Sequence, residues 1–366
     1  MVGAGLSGLV TAILLARSGR SVRILEKYRT VGAQPERWPM ADVTPMIPEE
    51  MSAYLGIPIG EPQVKECGLL NGYFWGERFE IPIGRSNLKV VERGPRGTGL
   101  DGYLLELALA EGVKVEFEEA VLGQGAIAAL PRDTVIATGL YAETFDALNI
   151  PYVMGWCYGA KGKSSRQGEA AIYFDGYTDD YAYWASTNGI DSVLFFTRGP
   201  IKSKDLAAFT GQLERTEGIE IGEWLYGYGP TPTAKFSNPR LFASDKILAG
   251  TLSGMMEPFV LFGVHGALVS GKIAAMAVED RSEAYREFKR QLTTWKRMLL
   301  NRKVYNRMSM GMRRRAVVGL NRLLALDRDL GARLLGGAFH AVPGYVRQRE
   351  MHRRRLQGYR PGGPRG

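Results

Sequence analysis

Cysteine and histidine are scarce in this chain. Two cysteines, Cys67 and Cys157, stand far apart in 366 residues and lack C-x-x-C spacing. That excludes a disulfide framework and a zinc ribbon, and it fits a reducing, cytoplasmic compartment. Three histidines (His265, His340 and His352) are too few for a histidine-rich metal centre, so no metal is expected. The first apolar run, Leu9 to Ala16, has no basic segment before it and overlaps a glycine motif, which is not the pattern of a signal peptide. One apolar run, 259–278, approaches membrane-spanning length, but it carries His265 and Lys272 and is broken by small residues. No transmembrane helix is expected. A P-loop is missing too: Cys157 replaces the first glycine of the match ending Gly162-Lys163-Ser164, and Ile273 replaces the hydroxyl residue after Lys272.

What is present is globular: 45% hydrophobic residues and 10% aromatic, enough for two domains or one large elaborated one. The net charge of +9 hides a division. From Arg281 onward there are 22 Lys and Arg against 5 Asp and Glu, a balance of +17, so the preceding 280 residues carry −8. Any surface-binding role therefore belongs to the C-terminal segment.

The chain opens on Gly3-Ala4-Gly5-Leu6-Ser7-Gly8, followed by a helix-like run and a short strand, Ser21 to Leu25, ending in Glu26-Lys27. This is the pattern of a dinucleotide-binding βαβ turn. Gly3 allows the tight turn, Gly5 lets a pyrophosphate approach the backbone, and Gly8 lets the helix pack close to the sheet. The helix amides face the phosphates, and Glu26 accepts ribose hydroxyls. Only Met1 and Val2 precede Gly3, where a buried strand of about five residues is expected. We read the chain as starting late in this strand.

Further along, short strands are predicted from Val64 to Val91, with turn signals at Asn71-Gly72 and Ile83-Gly84. A helix follows over 100–111, and Thr134 to Gly139 is a buried strand ending in a small-residue turn. The region 152–198 is β-rich and aromatic, with strands at 170–174, 181–186 and 192–197. A helix over 204–216 and a strand at Lys246 to Gly250 come next, then an apolar helix from about Gly263. The C-terminal segment is helical in period: Tyr285, Phe288, Leu292, Trp295 and Leu299 form one apolar stripe, and Val317, Leu320, Leu324 and Leu334 a second. Arg360 to Gly366 reads as a frayed tail.

Three separated segments agree on a family. The N-terminal glycine motif with Glu26, the strand Thr134 to Gly139, and Gly250-Thr251-Leu252-Ser253-Gly254…Pro258…Gly263-Val264-His265-Gly266…Ser270-Gly271 resemble the FAD-dependent oxidoreductases of the glutathione-reductase-like superfamily. More narrowly they resemble its single-dinucleotide-domain branch, the geranylgeranyl reductases and FixC-type flavoproteins, with the aromatic hydroxylases as neighbours. The resemblance covers about Met1 to Glu279. It implies a Rossmann-like α/β domain with a parallel sheet over 1–62, 88–150 and 240–282. An interposed antiparallel substrate domain over 63–87 and 151–239 and a basic helical segment over 283–366 complete it.

The resemblance also implies FAD, held by Gly3, Gly5, Leu6, Ser7, Gly8, Glu26, Lys27, Thr138, Gly139, Thr251, Pro258, Gly263 and Val264. By position it adds Arg37, Arg93, Arg96 and Val121. Two departures stand out. Thr251 occupies the place of the family's ribityl-binding Asp, and Gln34-Pro35-Glu36-Arg37 lacks the cysteine found near the flavin in many geranylgeranyl reductases. A second nucleotide domain is lacking, so NAD(P)H, as a reductant, would bind transiently or not at all.

Glu257 and His265 are the candidates for proton transfer, against the plainer readings of a loop acid and a packed helix histidine. Tyr181 to Trp184 either lines a hydrophobic cavity or belongs to the sheet core. Gly94 to Gly99 reads as a loop. The expected activity is hydride transfer between flavin and a hydrophobic, isoprenoid or lipid-like substrate. The alternatives are an NAD(P)H-dependent flavin monooxygenase and a FixC-like electron-transfer flavoprotein. For the basic C-terminus the competing readings are a solvated helix face and an anionic membrane surface, the latter making the protein peripheral; no nucleic-acid partner is expected.

Overall fold

The computed structural model describes residues 1–32, 39–81, 87–326 and 342–357. Arg37 with Gln34 to Glu36, the turn at Ile83-Gly84, Leu334 and the Arg360 to Gly366 tail lie outside them.

The parallel sheet is built around the chain's first residues. Strands β1 (Arg23–Leu25) and β7 (Lys114–Glu116) pair in parallel on one side, and β8 (Val135–Ile136) and β15 (Lys246–Leu248) on the other. Met1 to Gly3 lies between the halves. Leu25 N–H donates to Met1 O (3.0 Å), Gly3 N–H to Leu25 O (2.9 Å), Val2 N–H to Val135 O (2.9 Å), and Ala137 N–H to Val2 O (2.8 Å). These three residues thus occupy the central strand position, and β14 (Phe242–Ala243) adds an antiparallel edge beside β15. The resulting order, β7-β1-Val2-β8-β15, is that of a doubly wound dinucleotide fold.

Helices α1 (Leu6–Arg17), α3 (Leu100–Ala110) and α7 (Val264–Glu279) pack on this sheet. Small residues set how closely. A Cβ at Gly271 would lie 2.6 Å from Ser7 O, so α1 and α7 cross nearly backbone to backbone. Thr11 Oγ1 sits in that crossing, 2.7 Å from Ser7 O and 2.9 Å from Gly271 O. The apolar run at 259–278 is therefore a core helix. Among the described residues no helix is long and apolar enough to cross a membrane.

A second, mixed sheet of seven strands runs β13-β9-β12-β11-β10-β4-β5. Its strands are β4 (Leu69–Phe74), β5 (Glu77–Glu80), β9 (Val153–Lys163), β10 (Glu169–Phe174), β11 (Ala182–Thr187), β12 (Ile190–Thr197) and β13 (Leu225–Thr231). Alternation along β11 splits its residues between two faces. Trp184 is buried with Phe195, Phe209 and Leu213 under helix α6 (Ser203–Glu217). Tyr183, with Tyr181 just before the strand, faces the other way, toward Phe174 and Phe196. That aromatic face meets a small sheet of β2 (Met40–Pro45), β6 (Leu88–Arg93) and β3 (Val64–Glu66).

Three expectations are corrected. Asn71-Gly72 is not a turn but the middle of β4, because a Cβ at Gly72 would meet the Phe74 ring at 2.6 Å and Asn71 is buried. The turn is made instead by Trp75 and Gly76, both at positive φ. The first C-terminal stripe is divided between α8 (Arg281–Gln291) and α9 (Trp295–Arg307), with Tyr285 exposed and Phe288, Trp295 and Leu299 buried. On α10 (Met310–Leu326) Val318 is buried and Leu320 is exposed, while the side chain of Leu324 lies outside the described ones. Helix α11 (Tyr345–Leu356) packs back on α2 (Pro48–Leu55) and α8.

Candidate dinucleotide and substrate site

The three glycines of the opening motif meet different surroundings. Gly3, at φ +95°, abuts the strand end after β8: a Cβ there would lie 2.4 Å from Ala137 O and 3.2 Å from Thr138 N. A Cβ on Gly8 would lie 2.0 Å from Gly3 O. Gly5 is the contrast, because nothing stands within 4 Å of the space its Cβ would take. That open space lies over the α1 N-terminus, where unpaired backbone N–H groups favour an anion. Leu6 and Ser7 begin the helix and are buried.

Glu26, directly after β1, is nearly buried. Its carboxylate accepts from Ala4 N–H (2.7 Å) and Tyr28 N–H (3.0 Å), which ties the acid to the glycine loop. Burial pushes its pKa up, opposed by these backbone bonds and by Lys27. Two accepted bonds leave lone pairs on an ionised carboxylate for further donors. Lys27 Nζ lies 4.3 Å from the centroid of the Tyr141 ring, and Tyr141 donates to the Tyr28 hydroxyl (2.7 Å). In the sequence neither tyrosine carries a signal beyond its position just after Glu26 or Gly139. Thr138 Oγ1 is buried without a hydrogen-bond partner, and Gly139 is at φ +71°. Val121 is half-buried against the cluster holding Val2 and Ile136.

The distant segment closes on the first. A Cβ at Gly250 would stand 2.6 Å from Ser7 Oγ, and Gly250 N–H donates to Ser270 Oγ on α7 (2.8 Å). Thr251 follows in a single 3-10 turn, Gly250–Ser253. Gly266 has no room for a side chain, since its Cβ would lie 1.9 Å from Met255 O. Pro258 is buried, and Gly263 and Val264 start α7. Segments about 250 residues apart thus share one backbone-lined region.

The proposed proton-transfer residues are engaged otherwise. Glu257 is fully buried and accepts from Phe259 N–H (2.9 Å) and Val260 N–H (2.5 Å), bracing the loop before α7. Desolvation pushes its pKa up to about 7, against those backbone bonds and Arg302. His265 is also fully buried, with Nδ1–H donating to Pro343 O (2.8 Å) and Nε2 against the Gln348 amide. It pins the segment leading into α11, and burial lowers its pKa to about 4. Both side chains are thus occupied in holding chain segments together.

Their pH dependences oppose one another. The folded state keeps Glu257 protonated where the unfolded state has ionised it, so stability falls as pH rises from about 4.5 to 7. His265 is neutral when folded and charged when unfolded, so stability rises from about pH 4 to 6.5. Each amounts to something of order 3 kcal/mol. Denaturant melts of Glu257→Gln should show the rising limb alone, and those of His265→Gln the falling limb alone. Wild-type profiles from both variants would refute the assignment.

The arginines are committed as well. Arg93 is bidentate to Asp101 (2.7 and 2.9 Å) and reaches Asp42 (3.3 Å), and these carboxylates raise its pKa against a desolvation that opposes them. Asp42 also accepts from Tyr183 OH (2.7 Å), linking this network to the aromatic face. Arg96 pairs with Glu92 (2.9 Å) and donates to Asn188 O (3.1 Å), which anchors the 94–99 loop. Cys67 is buried, Cys157 is half-buried, and neither forms a disulfide. Two surface clefts, of about 580 and 640 Å³, lie elsewhere: around Pro58 and Tyr103, and between α2, α7, α8 and α11.

Comparison with known proteins agrees with this geometry. Residues 1–44 match the family model of the NAD(P)-binding Rossmann-like domain. No curated protein sequence matches the chain significantly. Among solved structures, a geranylgeranyl bacteriochlorophyll reductase-like protein of Thermoplasma acidophilum aligns over 96% of this chain and 97% of that one, at TM-score 0.69 and 14% identity. The p-nitrophenol 4-monooxygenase of Pseudomonas putida DLL-E4 aligns over 93% and 97%, at TM-score 0.62 and 13% identity. A myxobacterial FAD-dependent chondrochloren halogenase aligns over 79% and 77%, at TM-score 0.55 and 16% identity. The chain therefore has the fold of the flavin-dependent oxidoreductases along nearly its whole length.

Proposed function

We propose that this protein is an FAD-dependent oxidoreductase that transfers a hydride between flavin and a hydrophobic substrate. The observation carrying this reading is the close backbone packing of Gly3 and Gly8 with Ala137 and of Gly250 and Gly271 with Ser7 around the start of α1, where the position facing Gly5 alone stays open. The residues present fit the cofactor. Gly3, Gly5, Leu6, Ser7 and Gly8 would hold the pyrophosphate on backbone amides, and Glu26 would accept from ribose hydroxyls. Thr138 Oγ1, which has no other partner, would meet a donor or acceptor of the cofactor. Thr251, Pro258, Gly263 and Val264 would lie on the flavin side, where the positive end of α7 favours negative charge. When bound, FAD supplies a two-electron centre that gives or takes the hydride.

The chain's own contribution is to bind, orient and exclude water. Tyr181, Tyr183, Phe174 and Phe196 belong to the apolar core between the seven-stranded sheet and the sheet of β2, β6 and β3, their polar tips already paired, Tyr183 with Asp42 and Tyr181 with Val260 O. A substrate held beside such surroundings would be isoprenoid or lipid-like rather than charged.

The monooxygenase alternative draws on the likeness to p-nitrophenol 4-monooxygenase. Oxygen electrode traces separate them. A reductase with NADPH should consume oxygen only at a slow rate that substrate does not raise. Substrate-stimulated oxygen uptake would favour the monooxygenase, and flavin reduced solely by a protein donor would favour an electron-transfer role.

A further inference from the structure

We propose that the outward face of α10 docks on an anionic lipid bilayer. Helix α10 is amphipathic in the reverse of the usual sense. Its inner side packs Val317 and Val318 near β4 and β5, while Met312, Leu320, Leu323 and Leu326 stand 48–85% exposed. Those four recur at spacings of eight, three and three, which places them on one stripe. A helix that turns leucines toward water needs a partner for them. Charge chooses which partner. Arg315 and Arg322 lie along one edge of the stripe; Arg322 is held by Glu77, but Arg315 meets no acidic partner among the described residues. They belong to the segment that carries +17 against −8 for the rest of the chain.

A second copy of this chain would set that positive surface against itself across a two-fold axis. An anionic leaflet instead attracts it, each basic residue strengthening binding about fivefold while the leucines enter the headgroup boundary. Helix α9 adds Leu300 and Val304, both exposed, beside Lys296 and Arg297. Since α10 also closes over the aromatic side of the seven-stranded sheet, docking would set that side near the source of an apolar substrate. The proposal does not depend on the flavin reading.

The test is sedimentation of the full chain with phosphatidylcholine vesicles with and without phosphatidylglycerol. The wild type should bind only the anionic vesicles and be released by salt. Leu320→Ser with Leu323→Ser should weaken binding at least about tenfold, and Arg315→Glu similarly, with melting temperatures unchanged. Failure of the wild type to bind, or equal binding by the variants, would overturn the proposal. So would concentration-dependent dimerisation abolished by the leucine changes, which would make a second copy the occupant.

Discussion

Gly5→Val should fold as the wild type does and lose flavin. Gly5 lies at φ −78° and ψ −179°, extended backbone that a β-branched residue adopts without strain. Nothing lies within 4 Å of its Cβ position, so no contact of the folded protein is disturbed. The same open space is what a pyrophosphate needs in order to reach the loop and α1 amides. An isopropyl group there should weaken FAD binding at least about 100-fold, or ~3 kcal/mol. Circular dichroism and melting temperature should be unchanged while flavin fluorescence titration loses its saturation. A variant that keeps its flavin would place the cofactor elsewhere. A variant that unfolds would mean that Gly5 is structural.

Gly8→Ala and Gly266→Ala should do the reverse, with the fold itself failing. Their new Cβ atoms would fall 2.0 Å from Gly3 O and 1.9 Å from Met255 O. Backbone carbonyls within a sheet-and-helix core cannot move by the ångström or more required. The overpacking cost should reach about 4 kcal/mol or more, beyond the common range for such changes. Urea melts, or the yield of soluble protein, would show it. Gly125→Ala is the control: on a helix and with open space around it, it should stabilise slightly. Near-wild-type stability of Gly8→Ala would mean that the helix does not press on the glycine turn.

The legible parts of this fold were those set by backbone demands. Gly3, Gly8, Gly250 and Gly271 each stand where a Cβ would collide, so their spacing in sequence carries the three-dimensional requirement directly. Glu26 was legible for the same reason, since it follows a strand of the required length. What stayed hidden depends on chain segments far apart. His265 reads as a flavin-side residue until Pro343 and Gln348, about eighty residues later, close over both its nitrogens. By position Arg93 reads as a cofactor contact, but Asp101 and Asp42 hold it. Asn71-Gly72 has turn chemistry, yet the packing of Phe74 and Ile81 over Gly72 keeps it in a strand. The second C-terminal stripe is sound as periodicity. Which side of α10 faces inward was decided by Val318 and by Arg313, whose guanidinium reaches Asp179 O and Tyr305 O.

In the function proposed above, two remote glycine segments build one FAD site. The absorption spectrum of the purified full chain, read with the flavin released on denaturation, tests it most directly. Bands near those of oxidised flavin, FAD released at about one per chain, and loss of both in Gly5→Val with the fold intact are the expected result. A colourless protein that yields no FAD and does not take it up on titration would contradict it.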